Sequence, residues 1–194
     1  IDPTSPNLHL GHAVILRKLK AFQDLGHKVV FIIGDFTAQI GDSSGHSKAR
    51  PPLSEAQIKK NMKEYLRQAA RVINVKKAEI VYNSAWFKKE GIKTMVELAA
   101  ASSMQQVLRR EDFKERLKSG HDVTLLETLS PLFQGYDSVK VKADVELGGT
   151  AQTFNLLMGR RVQRHFGMKE QDVLTAPLLE GLDGGKKMSK SVGN

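Results

Sequence analysis

The strongest constraint on this chain is the order of its first segments: a proline-bearing turn, an amphipathic helix, then a wholly apolar run. Asp2-Pro3-Thr4 and Pro6 make the turn, and His9-Leu10-Gly11-His12 leads out of it. Ala13, Val14, Leu16, Leu19, Phe22 and Leu25 recur at helical spacing, predicting a helix over residues 11–25 with Gly26 closing it. Val29-Val30-Phe31-Ile32-Ile33 then carries no polar residue, as a parallel strand covered on both faces would. With Ile1 read as the end of a preceding strand, the order is strand, helix, strand. That order begins an α/β fold with a doubly wound parallel sheet of the nucleotide-binding, Rossmann-like kind.

The rest of the chain extends this reading. Gly34-Asp35-Phe36-Thr37 turns out of the strand's carboxyl end, and residues 41–52 have the Gly, Ser, Asp and Pro content of a surface loop. A helix is expected from Ser54 to about Val72, with Glu55 suited to its first turn. Glu79-Ile80-Val81-Tyr82 reads as a second strand, and alternation of Val141, Ala143 and Val145 as a third. A helix over residues 152–166 and a short strand, Val173-Leu174-Thr175, precede a glycine-rich tail. Residues 84–122 are helical, charged and poor in strand signals, so they read as a helical insertion on the nucleotide fold.

Composition narrows the class. A length of 194 residues with 40% hydrophobic content suits one α/β domain carrying an insertion. The absence of cysteine excludes a disulfide scaffold and a thiolate metal site, and fits a reducing cytoplasm. No apolar run approaches the ~20 residues needed to cross a bilayer. The net charge of +9 favours a polyanionic partner.

Two short segments carry phosphate chemistry. A helix N-terminus near Gly11 offers unpaired N–H groups and partial positive charge, and the glycine lets an adenine ring lie against the backbone. His9 and His12 place imidazole donors beside a triphosphate, where charge grows during attack on the α-phosphate. At the other end, Gly184 and Gly185 open a loop bearing Lys187-Met188-Ser189-Lys190-Ser191. Lys187 and Lys190 bring charge to a pyrophosphate leaving group, and Ser189 and Ser191 add hydroxyls as the loop closes.

A helix over residues 123–139 completes the site. Leu125, Leu129, Leu132, Phe133 and Tyr136 make it mainly apolar, while Glu127, Ser130, Gln134 and Asp137 align at three- and four-residue spacing. A polar stripe on so apolar a helix is expected to line a pocket.

Taken together, the two phosphate segments resemble the signature pair of class I aminoacyl-tRNA synthetases. The runs Gln134-Gly135-Tyr136-Asp137-Ser138 and Val145-Glu146-Leu147-Gly148-Gly149-Thr150 resemble the amino-acid and ribose segments of bacterial tyrosyl-tRNA synthetases. The resemblance spans nearly the whole chain. It implies that His9, His12, Lys187 and Lys190 are catalytic. It also implies that Asp2, Thr4, His9, Gly11, His12, Gly149, Gln152, Lys187, Ser189 and Lys190 bind ATP, with Mg²⁺ as its companion. Asp137 would accept from the substrate phenol beside Thr37, Gln134 and Asp42 would hold the ammonium, and Gln152 would lie near the acyl group. Ser130 stands in the amino-acid site where the family carries tyrosine, and Ala151 stands where it carries aspartate. These two departures should enlarge the pocket and weaken the adenylate, each loss being worth ~1–3 kcal/mol.

The expected activity is ATP-dependent formation of tyrosyl-adenylate and transfer to tRNA(Tyr), in a cytoplasmic homodimer joined through the insertion, without membrane attachment. The chain is expected to be a catalytic portion, its anticodon-binding part lying elsewhere. Three rivals stand beside it. The tryptophanyl enzyme shares the phosphate segments but has no use for a phenol acceptor. An inactivated or engineered synthetase-like RNA-binding domain would account for Ser130 and Ala151, and a cofactor-making nucleotidyltransferase for the histidines.

Overall fold

The computed structural model describes residues 1–40, 53–185, 187 and 188. Its elements in chain order are α1 (Leu10–Asp24), β1 (Val30–Ile33), α2 (Thr37–Ile40), α3 (Glu55–Ala69), β2 (Glu79–Tyr82), α4 (Ser84–Ala100), α5 (Met104–Val107), α6 (Glu111–Lys118), α7 (Leu125–Val141), β3 (Val145–Gly149), α8 (Thr153–His165) and β4 (Asp172–Ala176). β1 pairs in parallel with β2, Val30 opposite Glu79, and β3 pairs in parallel with β4, Val145 opposite Asp172. Each parallel pair is joined by helical crossovers, the doubly wound α/β arrangement the opening segments imply. Ile1 lies alongside β1 as well: its backbone N donates to Ile32 O at 2.8 Å, and Gly34 N donates to Ile1 O at 3.0 Å.

Two apolar clusters hold these layers. Leu16 of α1, Phe31 and Ile33 of β1, Ala69 of α3 and Ile73 bury one side of the first strand pair. Trp86, Leu98, Phe113, Phe133, Tyr136 and Val162 join α4, α6, α7 and α8 in the second. A fully buried phenylalanine such as Phe113 or Phe133 contributes about 2–3 kcal/mol. Helices α7 and α8 approach closely because Gly135 has no side chain: a Cβ there would meet Val162 Cγ2 at 2.8 Å and Met158 O at 3.2 Å.

The third strand corrects the sequence reading. Val141 is the last residue of α7, and the strand begins at Val145. Lys142 takes a left-handed conformation (φ 52°), and Ala143 N reaches back to Ser138 O at 3.1 Å. That cap ends the helix two residues later than expected and starts the strand four residues later than alternation alone suggests, because the helical periodicity of the preceding residues runs through Val141. The insertion is helical over α4, α5 and α6, and Gly91 (φ 67°) kinks α4. Asp42, Ser189 and Lys190 lie outside the described residues, as does Ser191.

Candidate active site

The site gathers at the carboxyl ends of the strands, where the chain leaves β1, β2 and β3 and where α1 begins. α3 prepares the entry turn. Asn61 Nδ2 donates to Pro3 O at 2.8 Å, and one helical face further on Gln68 donates to Pro6 O at 2.9 Å while accepting from Leu8 N at 2.9 Å. These bonds satisfy a loop that would otherwise bury unpaired backbone groups.

His9 and His12 form the N-terminal cap of α1. Gly11 N donates to His9 Nδ1 at 3.1 Å, and His9 N donates to His12 Nδ1 at 3.2 Å. Because each Nδ1 accepts, the neutral ring carries its proton on Nε2. The rings stand 4.1 Å apart, edge to face. Gly11 is needed at this closeness, since a Cβ would come within 2.9 Å of His9 Cε1. Lys187 sits in a hairpin after β4, bridged to Glu180, with Met188 N donating to Leu179 O at 2.8 Å.

A second cluster surrounds Asp137. Its carboxylate is 7% exposed and accepts from Trp86 Nε1 at 3.0 Å and from Asn83 Nδ2 at 3.3 Å. Asn83 also donates to Thr37 Oγ1 at 3.0 Å, accepts from Phe36 N at 2.9 Å, and Thr37 donates to Asp2 Oδ1 at 2.8 Å. Asp2, Thr37, Asn83, Trp86 and Asp137 are thus one hydrogen-bonded chain drawn from four segments. Gly34 makes it possible, because a Cβ at that position would overlap Asp2 Oδ1 and Thr37 Oγ1. Burial pushes the Asp137 carboxyl up to about 8, with Asp2 adding to the rise against the two donors. An acceptor this desolvated discriminates sharply between a ligand with a hydroxyl and one without.

A third cluster lies one turn away on the same face of α7. Gln134 Nε2 donates to Glu146 Oε1 at 3.4 Å, and Asn155 Nδ2 donates to Gln134 Oε1 at 3.1 Å and to Gln152 Oε1 at 2.9 Å. Gln134 and Gln152, expected together from the sequence, are therefore bridged by Asn155. Gly149 ends β3 beside them and Ala151 lies exposed on the following 3₁₀ turn, Thr150–Gln152. Ser130 is half-buried one turn before Gln134, and Thr4 is half-buried in the entry turn. Asp2 stands with Thr37 in the Asp137 cluster rather than with the histidines.

Glu127 departs from the expected stripe. It is 4% exposed, closes a capping box with Thr124 and pairs with Arg116 at 2.5 Å, so it anchors α7 to α6 instead of lining the pocket. Asn83, Trp86, Glu146 and Asn155 were not anticipated. Asn83 follows the carboxyl end of β2, the position from which parallel sheets present ligand-binding groups, and that placement was the available signal.

Comparison with known proteins identifies the family. A model of the family described as tRNA synthetases class I (W and Y) matches residues 1–194. The chain is 52% identical over 193 residues to the tyrosine–tRNA ligase of Nitrosospira multiformis, covering 100% of this chain and 48% of that protein. It is 53% identical over 193 residues to the tyrosine–tRNA ligase of Aquifex aeolicus, covering 100% and 49%. The chain thus spans about half the length of these curated relatives. Among solved structures, a C-terminally truncated mitochondrial tyrosyl-tRNA synthetase of Coccidioides posadasii superposes with a TM-score of 0.79 at 25% identity, over 97% of this chain and 60% of that one. The tyrosyl-tRNA synthetase of Archaeoglobus fulgidus complexed with L-tyrosine gives 0.81 at 23% identity, over 100% and 57%, a likeness of fold.

Proposed function

The chain belongs to the class I tRNA synthetases of the W and Y group, and from that premise we propose that it activates tyrosine with ATP and passes the tyrosyl group to tRNA(Tyr). The observation that carries this reading is Asp137: a buried acceptor held by Trp86 and Asn83, three residues along α7 from Gln134. Asp137 takes the phenol hydroxyl as donor, next to Thr37, and Gln134 takes the ammonium. Asp42 joins Gln134 in that task. A tryptophan substrate would leave Asp137 without a hydroxyl to accept.

The substrate carboxylate oxygen attacks the α-phosphorus of ATP, a new P–O bond forms, and the bond to the β-phosphate breaks to release pyrophosphate. His9 and His12 stabilise charge on the phosphate oxygens through their Nε2–H groups, and Lys187 with Lys190 neutralise the departing pyrophosphate. No protein nucleophile takes part; orientation and charge stabilisation lower the barrier. The entry turn with Asp2 and Thr4, the glycines Gly11 and Gly149, and Ser189 complete the nucleotide contacts. Among the described residues no group of three or more His, Asp or Glu side chains converges to hold a metal. The side chains of the described residues thus do not build a Mg²⁺ site, and a Mg²⁺ ion would arrive on the phosphates of ATP. In the second step a 2′- or 3′-hydroxyl of tRNA attacks the acyl carbon and AMP leaves.

Support for a polyanionic partner comes from an open cleft of about 380 Å³ between α5 and α8, bordered by Arg109, Arg160, Arg161 and Arg164. Glu170 offsets part of that charge through Arg160 and Arg164. A homodimer through the insertion, residues 84–122, accounts for Ile92 (82% exposed) and Val96 (64%), which lie one turn apart on α4. No helix among the described residues is long and apolar enough to cross a membrane, and we place the catalytic domain in the cytoplasm.

Amino-acid-dependent ATP–pyrophosphate exchange with all twenty amino acids tests the reading. Exchange with tyrosine is expected. Exchange with a different amino acid would mean that Ser130 has rebuilt the pocket, and silence from folded protein would favour an inactivated synthetase-like RNA-binding domain.

A further inference from the structure

A side-chain amide has an oxygen and an NH₂ of nearly equal size, so its orientation is decided by what it faces. The third cluster contains three such amides in series, and at one end stands a group that only accepts. Glu146 lies on β3 with both carboxylate oxygens engaged. Oε1 accepts from Gln134 Nε2 at 3.4 Å, while Oε2 accepts from Ser138 Oγ at 3.1 Å and from Gln171 Nε2. Gly159 leaves the space for this convergence, since a Cβ there would come within 3.0 Å of Glu146 Oε2 and 3.1 Å of Ser138 Oγ. Gln171 is itself fixed, its N–H donating to Gln163 Oε1 at 2.7 Å.

The rest follows bond by bond. With its NH₂ committed to Glu146, Gln134 turns its oxygen the other way, where Asn155 Nδ2 donates to it. Asn155 Nδ2 donates also to Gln152 Oε1, which leaves the Gln152 NH₂ as the end that residue can offer. Asn155 is 4% exposed, and its Oδ1 has no hydrogen-bond partner among the described residues. Flipping Asn155 would set that oxygen against two carbonyl oxygens, so the double donation persists although it strands a buried acceptor. Burial pushes the Glu146 carboxyl up, while Gln171, Gln134 and Ser138 pull the other way.

We propose that Glu146 is a positioning residue which, through Gln134 and Asn155 to Gln152, sets the polarity of the amino-acid site. Gln134 offers a carbonyl oxygen to the substrate ammonium, and Gln152 offers an NH₂ to the substrate carboxylate. The relay rests on the tyrosine reading for the identity of the ligand, but its direction is a property of the chain alone. A zwitterion presents a cation and an anion on one carbon, and the relay supplies one acceptor and one donor from a single carboxylate.

The test uses the full chain and two ligands, tyrosine and 3-(4-hydroxyphenyl)propanoate, which lacks the ammonium. Glu146→Gln keeps the shape but no longer dictates which end of Gln134 it meets. By calorimetric titration it should weaken tyrosine about tenfold and the desamino ligand by about twofold or less, because the ammonium contact is the first one downstream of Glu146. Asn155→Ala cuts the relay at its second bond, downstream of Gln134, so it should weaken both ligands about equally through Gln152, a readout that stands even if Glu146→Gln fails to fold. Equal losses for both ligands in Glu146→Gln, a tyrosine-selective loss in Asn155→Ala, or no loss for either ligand in the folded variants would overturn the relay. A direct reading needs no ligand: the Gln134 side-chain NH₂ resonances should move in Glu146→Gln, and unmoved resonances in the folded variant would also overturn it. Wild-type protein that binds neither ligand would instead count against the tyrosine reading, while the resonances still decide the relay.

Discussion

The phosphate end and the amino-acid end of the site are built in opposite ways. At the phosphate end the bonds are local: Gly11 N to His9, and His9 N to His12, two and three residues apart. At the amino-acid end they are distant: Thr37 reaches Asp2 across 35 residues, Trp86 reaches Asp137 across 51, and Asn83 reaches Asp137 across 54. A local cap exists wherever the helix starts, so its geometry costs the fold little. The Asp137 cluster exists only when four segments have packed, and it keeps a carboxyl with its pKa raised to about 8 out of water. In the proposed function, one end reads charge common to every nucleotide triphosphate, and the other reads a single hydroxyl.

If that contrast holds, damage at the phosphate end should strike turnover and spare the fold. His12→Ala should lower the exchange kcat by about 10²–10³-fold while leaving the KM for tyrosine unchanged. Loss of the cap should lower stability by about 1 kcal/mol, read from denaturant unfolding. A raised tyrosine KM with an intact kcat would erase the division between the two ends.

Damage at the amino-acid end should strike both fold and binding. Gly34→Ala places a methyl on the Asp2–Thr37 hydrogen bond and should lower the unfolding free energy by about 2 kcal/mol, with weaker tyrosine binding alongside.

Removing the buried charge sharpens the comparison further. Asp137 has a pKa of about 8 in the folded chain against 3.8 ordinarily, so between those values the folded state keeps a proton that the unfolded state has lost. Its contribution to stability therefore falls as pH rises through that window. Asp137→Asn should be more stable than the wild type by about 1–2 kcal/mol at pH 8.5, with the gain shrinking toward pH 4. Unfolding curves at pH 5 and pH 8.5 check this, and a gain independent of pH would contradict it. The smallest change is expected from Ser130→Tyr and Ala151→Asp together, which should improve tyrosine or ATP affinity by about tenfold or less.

The same contrast explains what could be read from the residues in order. The histidine turn, the run from Val29 to Ile33 and the Lys187 segment are each defined within a few positions, and spacing revealed them. Gln134 and Asp137 were legible because both lie on one helical face. Asn83 stands at the N-cap of α4, yet its side chain makes no cap bond and spans to α2 and α7 instead, so no local signal marks it. Glu127 misled for the converse reason: stripe spacing placed it beside Ser130, but the capping box and Arg116 claim it. Glu146 on β3 and Asn155 on α8 lie 12 and 21 residues beyond Gln134, and nothing in that spacing announces the contact. The end of α7 at Lys142 depended on a left-handed cap, which alternation of Val141, Ala143 and Val145 concealed.

The most direct test of the account compares tyrosine- and phenylalanine-dependent pyrophosphate exchange in the wild type and in Asp137→Ala. If Asp137 reads the phenol, the wild type prefers tyrosine, and the ratio of kcat/KM values for the two amino acids drops at least about tenfold in the variant. An unchanged ratio in a folded, active variant would show that the buried carboxylate does not read the substrate hydroxyl.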